Sequence, residues 1–268
     1  MTISHLVSIP IFLFGLLVGS FLNVCIWRLP AEEQVIRGRS RCRSCRQVIR
    51  WYDNIPILSF WLLRGKCRSC GVRISLQYPA VEGVTGLLFA ALWFRFGPAA
   101  LTLIYAVLGA ALIVVSVIDA REMILPDEVT LPGLGLGLLV SCFFPALHGS
   151  RSGLQGLIQA GIGALAGGGF IWLMGVIGSW IFKKEAMGGG DVKLMAMVGS
   201  VVGIWKVFLV NLILAPLLGS VVGLLMKYRY DRDVIPYGPF LSLGTLLAIF
   251  WGDWVIAWYK ASLYLTTR

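Results

Sequence analysis

The 268-residue sequence is poor in charge: Asp, Glu, Lys and Arg make up 13% of it, about half the share in a soluble globular protein. With 58% hydrophobic residues and a mean hydropathy of +0.84, there is no room for a large soluble domain. Histidine is almost absent. The two present, His5 and His148, fall on the face opposite the acids discussed below, so no Ser/His/Asp arrangement forms there. The N-terminus lacks a basic leader region and a small-residue cleavage site, and its first apolar run is long enough to be retained as a helix. No inverted repeat of the kind that builds secondary transporters is evident.

Apolar runs of about 20 residues recur along nearly the whole chain, each able to cross a hydrocarbon core as a helix. Their positions predict spans at 6–27, 79–96, 99–118, 129–147, 154–182, 192–204, 207–226 and 234–258. The sixth is anomalous, because its thirteen residues make only about 20 Å of helix. Its crossing requires a thinned bilayer or a dip of the preceding Gly188, Gly189 and Gly190 into a wet, protein-lined cleft.

Between the first two spans, residues 28–73 carry eleven Arg or Lys against three acids. In a membrane protein such a loop reports orientation rather than nucleic acid. Eight crossings put Arg121, Lys183, Lys184, Lys193, Lys227, Arg229 and Arg232 on the same cytoplasmic side, and leave Arg95, Arg151, Lys206, Lys260 and Arg268 outside. The expected fold is an all-α polytopic membrane protein of about eight transmembrane helices with a small cytoplasmic zinc-ribbon-like insertion between helices 1 and 2. Its expected divisions are a first helix (1–29), a four-cysteine domain (30–78) and a membrane core (79–268).

The insertion contains Cys42-Arg43-Ser44-Cys45 and Cys67-Arg68-Ser69-Cys70, two C-x-x-C knuckles with 21 residues between them. Paired thiolates at that spacing reach one tetrahedral ion, and four of them close a structural shell, so zinc is expected. The alternative, disulfides or a redox pair, fits a reducing compartment poorly. Cys25 and Cys142 lie in apolar spans and read as small buried hydrophobes.

Asp119 and Asp191 stand at the cytoplasmic ends of apolar spans. They read as a proton-sharing catalytic pair, as interface acids with Asp191 favouring a helix start, or as an ion path. Glu122, Asp127 and Glu128 sit in a short polar loop as solvated or capping acids. Glu82, an acid inside the second span, has either a substrate or cavity role or a packing role. Lys193 either neutralises Asp191 or marks the cytoplasmic face.

With these pieces in place, the chain resembles the bacterial type IV prepilin peptidases, which are bifunctional leader peptidases and N-methyltransferases. The resemblance runs over nearly the whole length. It rests on Gly19-Ser20-Phe21-Leu22-Asn23-Val24 with Arg28-Leu29-Pro30, the paired cysteines around Asp53-Asn54-Ile55-Pro56-Ile57-Leu58-Ser59, and Arg64-Gly65-Lys66-Cys67. Tyr78-Pro79-Ala80-Val81-Glu82, Ile118-Asp119 with Leu125-Pro126-Asp127, Gly188-Gly189-Gly190-Asp191-Val192-Lys193-Leu194 and Ile235-Pro236-Tyr237-Gly238-Pro239-Phe240 follow in the family's order. The first knuckle departs from the family in lacking a Pro after Cys42.

The resemblance implies that Asp119 and Asp191 are an aspartyl protease pair, with Asp191 in the family's G-x-G-D signature. It implies a multi-pass enzyme of the bacterial inner membrane that removes a short basic leader from prepilins and type II secretion pseudopilins after the leader's Gly. The new N-terminal amine is then methylated with S-adenosylmethionine, for which the sequence shows no binding motif. Membrane lipid is the other expected partner, nucleic acid is not one, and the oligomeric state is unspecified. Because the basic loop would repel a basic leader, Glu82 and Glu185 become candidates for leader recognition. A cation-coupled transporter using Asp119, Asp191 and Glu82 is the alternative class.

Overall fold

The computed structural model describes residues 3–36, 38–184, 187–230 and 235–266; Glu185 and Arg232 and the predicted start of the last span at 234 lie outside them. The described residues are nearly all helical, with six stretches long and apolar enough to cross a membrane: Val7–Arg28, Gln77–Phe96, Ala100–Glu122, Gly153–Ile181, Ile204–Met226 and Gly238–Ser262. The chain is an integral membrane protein. It divides within one helix into two compact units, Met1–Val114 and Val115–Arg268.

In the first unit, α1 (Ile3–Arg28) packs against α3 (Gln77–Phe96). A Cβ on Gly15 would sit 2.7 Å from the Cα of Gly86, and one on Gly19 2.7 Å from the Cα of Glu82. Glycines four apart therefore let the two backbones touch, which is how helices associate where lipid supplies no hydrophobic drive. Asn23 Nδ2 donates to the Tyr78 carbonyl at 3.1 Å across the same seam. The intervening insertion holds a 3-10 turn (Trp51–Asn54), the short helix α2 (Leu58–Leu62) and two isolated antiparallel bridges, Arg41 with Val48 and Lys66 with Arg73. The helix α4 (Ala100–Glu122) leads from this unit into the second.

The second unit continues with α5 (Asp127–Phe143), a 3-10 turn (Pro145–His148), α6 (Gly153–Phe182), α7 (Gly189–Val202) and α8 (Ile204–Leu209). A π-helical turn (Val210–Leu214), α9 (Ala215–Tyr230) and α10 (Gly238–Thr266) complete it. The helix predicted at 129–147 is shorter than expected, at 17 residues. Phe144 precedes a proline, which disfavours the helical conformation there, and adopts φ −123°, ψ 66°. The π turn lies just before Pro216, whose missing N–H and ring would disrupt a regular helix at that point.

The sixth predicted span appears as α7, at 14 residues. Its shortness has a structural explanation. Leu194, Met195, Met197 and Val198 are no more than 1% exposed, and α7 packs against both α5 and α6. A helix enclosed by other helices is relieved of the length that a lipid-facing span must have.

The α6/α7 contact is made by backbone: a Cβ on Gly163 would overlap the carbonyl oxygen of Gly199, and one on Gly199 that of Gly163. Gly199→Ala is expected to destabilise the protein by about 1–3 kcal/mol, read as a lower thermal midpoint in detergent. Gly161→Ala, where the Cβ meets open space, is expected to leave the midpoint unchanged or slightly raised.

Candidate functional site

Asp119 and Asp191 both belong to the second unit. Asp119 lies one turn before the end of α4 and is 6% exposed; Asp191 lies in the first turn of α7 and is 8% exposed. Their carboxylates are within electrostatic reach of each other. Buried like charges resist joint ionisation, so such a pair holds one proton readily and can both take and give one.

Each acid has its own support. The amide of Gly238, the first residue of α10, donates to Asp119 Oδ2 at 2.8 Å. A Cβ at Gly238 would stand 2.7 Å from that oxygen, so glycine is required by close approach. The preceding Tyr237 is within reach of the Asp191 charge. The start of α10 thus contacts one aspartate directly, and the residue before it lies near the other.

The three glycines before Asp191 do different things. Gly190 packs on Leu125, where a Cβ would come within 2.7 Å of that residue's own. Gly189 faces open space and Gly188 is exposed beside Asp191, leaving bare backbone next to the carboxylate. Lys193 is engaged by a different acid from Asp191: its Nζ bonds both oxygens of Asp127, at 2.7 and 2.8 Å. It ties the first turn of α7 to the first turn of α5, where Asp127 accepts the bond while half exposed to solvent. Glu122 pairs with Arg121 at 3.4 Å.

Glu82 is occupied within the first unit. It is 8% exposed, accepts the Ile57 amide on Oε2 at 2.8 Å, and accepts the hydroxyl of Ser20. These bonds support the packing side of the two readings, with the insertion tied to α3.

The four cysteines of the insertion converge. Their sulfurs all lie within 4.8 Å of one another, the group of metal-ligand type found among the described residues, and none of the four is in a disulfide. Cys42 and Cys70 Sγ are 3.8 Å apart, the edge of a tetrahedron of about 2.3 Å metal–sulfur bonds. The knuckles are built alike, 25 residues apart: Cys42 N donates to Gln47 O and Cys67 N to Val72 O, each at 2.9 Å. Arg46 at φ 57° occupies the place that Gly71 fills at φ 71°. The amides of Cys70 and Ser69 hold the Cys67 thiol down, at about 7, near the thiolate form that metals bind. Arg68 adds a two-pronged ion pair to Asp53 at 2.7–3.1 Å that keeps its carboxyl below the usual range.

Gly238 and Tyr237 are the site residues that sequence reasoning passed over. Their signal was present as Pro236-Tyr237-Gly238-Pro239 opening an apolar run, but nothing local says which acid the amide meets.

The bacterial peptidase A24 N-terminal domain matches residues 13–96, and the type IV leader peptidase family matches residues 106–224. A prepilin leader peptidase/N-methyltransferase of Myxococcus xanthus is 41% identical over 85% of this chain, a match that takes in 65% of that longer protein. Proteins of the same description from Pseudomonas putida and Aeromonas hydrophila are both 36% identical, over 91% and 93% of this chain and 90% and 92% of their own. No solved structure matches. With a peptidase region holding two buried aspartates behind an N-terminal region that gathers four cysteines, the chain belongs to the type IV leader peptidase family.

Proposed function

We propose that this chain cleaves the short basic leader from type IV prepilins and type II secretion pseudopilins, after the leader's Gly, by an aspartyl protease mechanism on Asp119 and Asp191. The observation that carries the reading is the buried carboxylate pair, with Asp119 held by an amide of another helix, in a member of the leader peptidase family.

In this reading one aspartate, ionised, takes a proton from a water molecule as its oxygen attacks the scissile carbonyl carbon. The other, protonated, donates to the carbonyl oxygen. Collapse of the tetrahedral intermediate breaks the C–N bond, and a proton passes from the pair to the leaving amine. The exposed backbone at Gly188 and Gly189 leaves room for an extended substrate strand beside Asp191. The Gly238 amide fixes Asp119 so that little reorganisation accompanies proton transfer.

The second activity, transfer of a methyl group from S-adenosylmethionine to the freed N-terminal amine, rests on the names of the relatives, and no residue of this chain is assigned to it. Cys42, Cys45, Cys67 and Cys70 would hold a structural zinc. The protein would lie in the bacterial inner membrane with eight crossings, α5 and α7 among them. Its basic four-cysteine insertion and aspartate pair would face the cytoplasm, where charge asymmetry directs a loop so rich in Arg. The three divisions 1–29, 30–78 and 79–268 serve as anchor, metal module and peptidase core.

Asp119→Asn and Asp191→Asn are each expected to lower prepilin cleavage by about 10³-fold or more in a purified assay; normal processing by either folded variant removes the assignment. Gly238→Ala is expected to lower kcat by about 10–100-fold with KM little changed, because the added methyl displaces Asp119 and leaves the rest of the cleft intact. Elemental analysis should find about one zinc per chain, absent from a Cys42→Ser/Cys67→Ser variant whose thermal midpoint is also lowered.

A further inference from the structure

The short helix α2 reverses the usual order of inside and outside. Its inward side carries Ser59, 6% exposed and donating its hydroxyl to the Tyr52 carbonyl at 3.0 Å, and Phe60, whose ring lies against Gly65. Its outward side carries Leu58, Trp61 and Leu62, which are 51%, 73% and 72% exposed. Residues spaced i, i+3 and i+4 share one face of a helix, so two leucines and a tryptophan form one continuous apolar strip that the described residues leave largely uncovered. In water that arrangement would be costly.

The position of α2 supplies the partner. The amide of Ile57, immediately before α2, bonds Glu82, the sixth residue of a candidate membrane span that begins at Gln77. Five residues of helix are about 7.5 Å, and a helical side chain leans back toward the helix N-terminus. Glu82 therefore holds Ile57 near the level at which α3 enters the membrane. Leu76, directly before α3, is itself 72% exposed. On the other end α2 is followed by Arg64 and Lys66, in an insertion of strong positive charge.

We infer that α2 is an interfacial helix, with Leu58, Trp61 and Leu62 seated at the boundary between headgroups and acyl chains and with Arg64 and Lys66 placed against the phosphates of anionic lipid. A tryptophan with leucines on one face and cations beside them is the composition such a boundary retains. The consequence is a four-cysteine module laid down on the bilayer at two points, by a hydrogen bond from within the span and by an apolar foot outside it. This inference rests on the membrane fold and not on the peptidase reading.

The test places the photoreactive residue p-benzoylphenylalanine at Trp61, at Leu62 or at the inward-facing Phe60 of the full chain, in nanodiscs of phosphatidylcholine with or without phosphatidylglycerol. After irradiation, mass spectrometry should find lipid adducts at 61 and 62 and only intramolecular adducts at 60. Yield at 61 and 62 should rise about fivefold or more with phosphatidylglycerol. Adducts at 61 and 62 to an added prepilin in place of lipid would make the strip a substrate-docking face and overturn the inference. So would a lack of lipid adducts at both positions, and a lipid yield indifferent to phosphatidylglycerol would overturn the anionic component.

Discussion

A carboxylate placed in a membrane helix must find a hydrogen-bond donor, and this fold answers that demand twice with the same device. Asp119 accepts the amide of Gly238, where α10 begins. Glu82 accepts the amide of Ile57, where α2 begins. In both cases a proline stands close by, Pro56 before Ile57 and Pro236 and Pro239 around Tyr237 and Gly238, and the donor belongs to the start of a helix, where amides lack intrahelical partners and the dipole favours an anion. One bond orients a candidate catalytic acid. The other moors an extramembrane module.

The glycines make these approaches possible. Gly15 and Gly19 bring α1 onto α3 beside Glu82, and Gly163 and Gly199 bring α6 onto α7, whose first turn carries Asp191. Because α7 is enclosed by α5 and α6, a short helix can carry an acid at its start while the rest of it is packed core. Lys193 and Asp127 complete the frame by joining the first turns of α7 and α5, so each aspartate sits on a helix end fixed by a partner distant in sequence.

The membrane class, the six long spans, the four-cysteine cluster and the two aspartates were legible because each rests on local information: hydrophobic run length, two-residue spacing between thiols, and the position of an acid against an apolar stretch. Apolarity runs past Pro145, yet α5 ends at Phe143, because backbone sterics before a proline and not hydropathy set the boundary. Lys193 stands two residues from Asp191 in sequence, yet it bonds an acid 66 residues away. Glu82 stands in sequence between a cavity role and a packing role, and the donor that supports packing comes from the insertion, 25 residues away.

By itself the sequence determined what medium the chain folds in, where its metal-type ligands lie and which two acids stand at helix ends, since all three follow from composition and short-range periodicity. Tertiary structure alone decided that Gly238 holds Asp119 across 119 residues, that the short α7 is buried between helices, and that α2 turns its apolar face outward. These depend on which helix surfaces meet, and pairing over such separations is set by packing and by the need to satisfy buried polar groups, neither of which leaves a mark in local spacing.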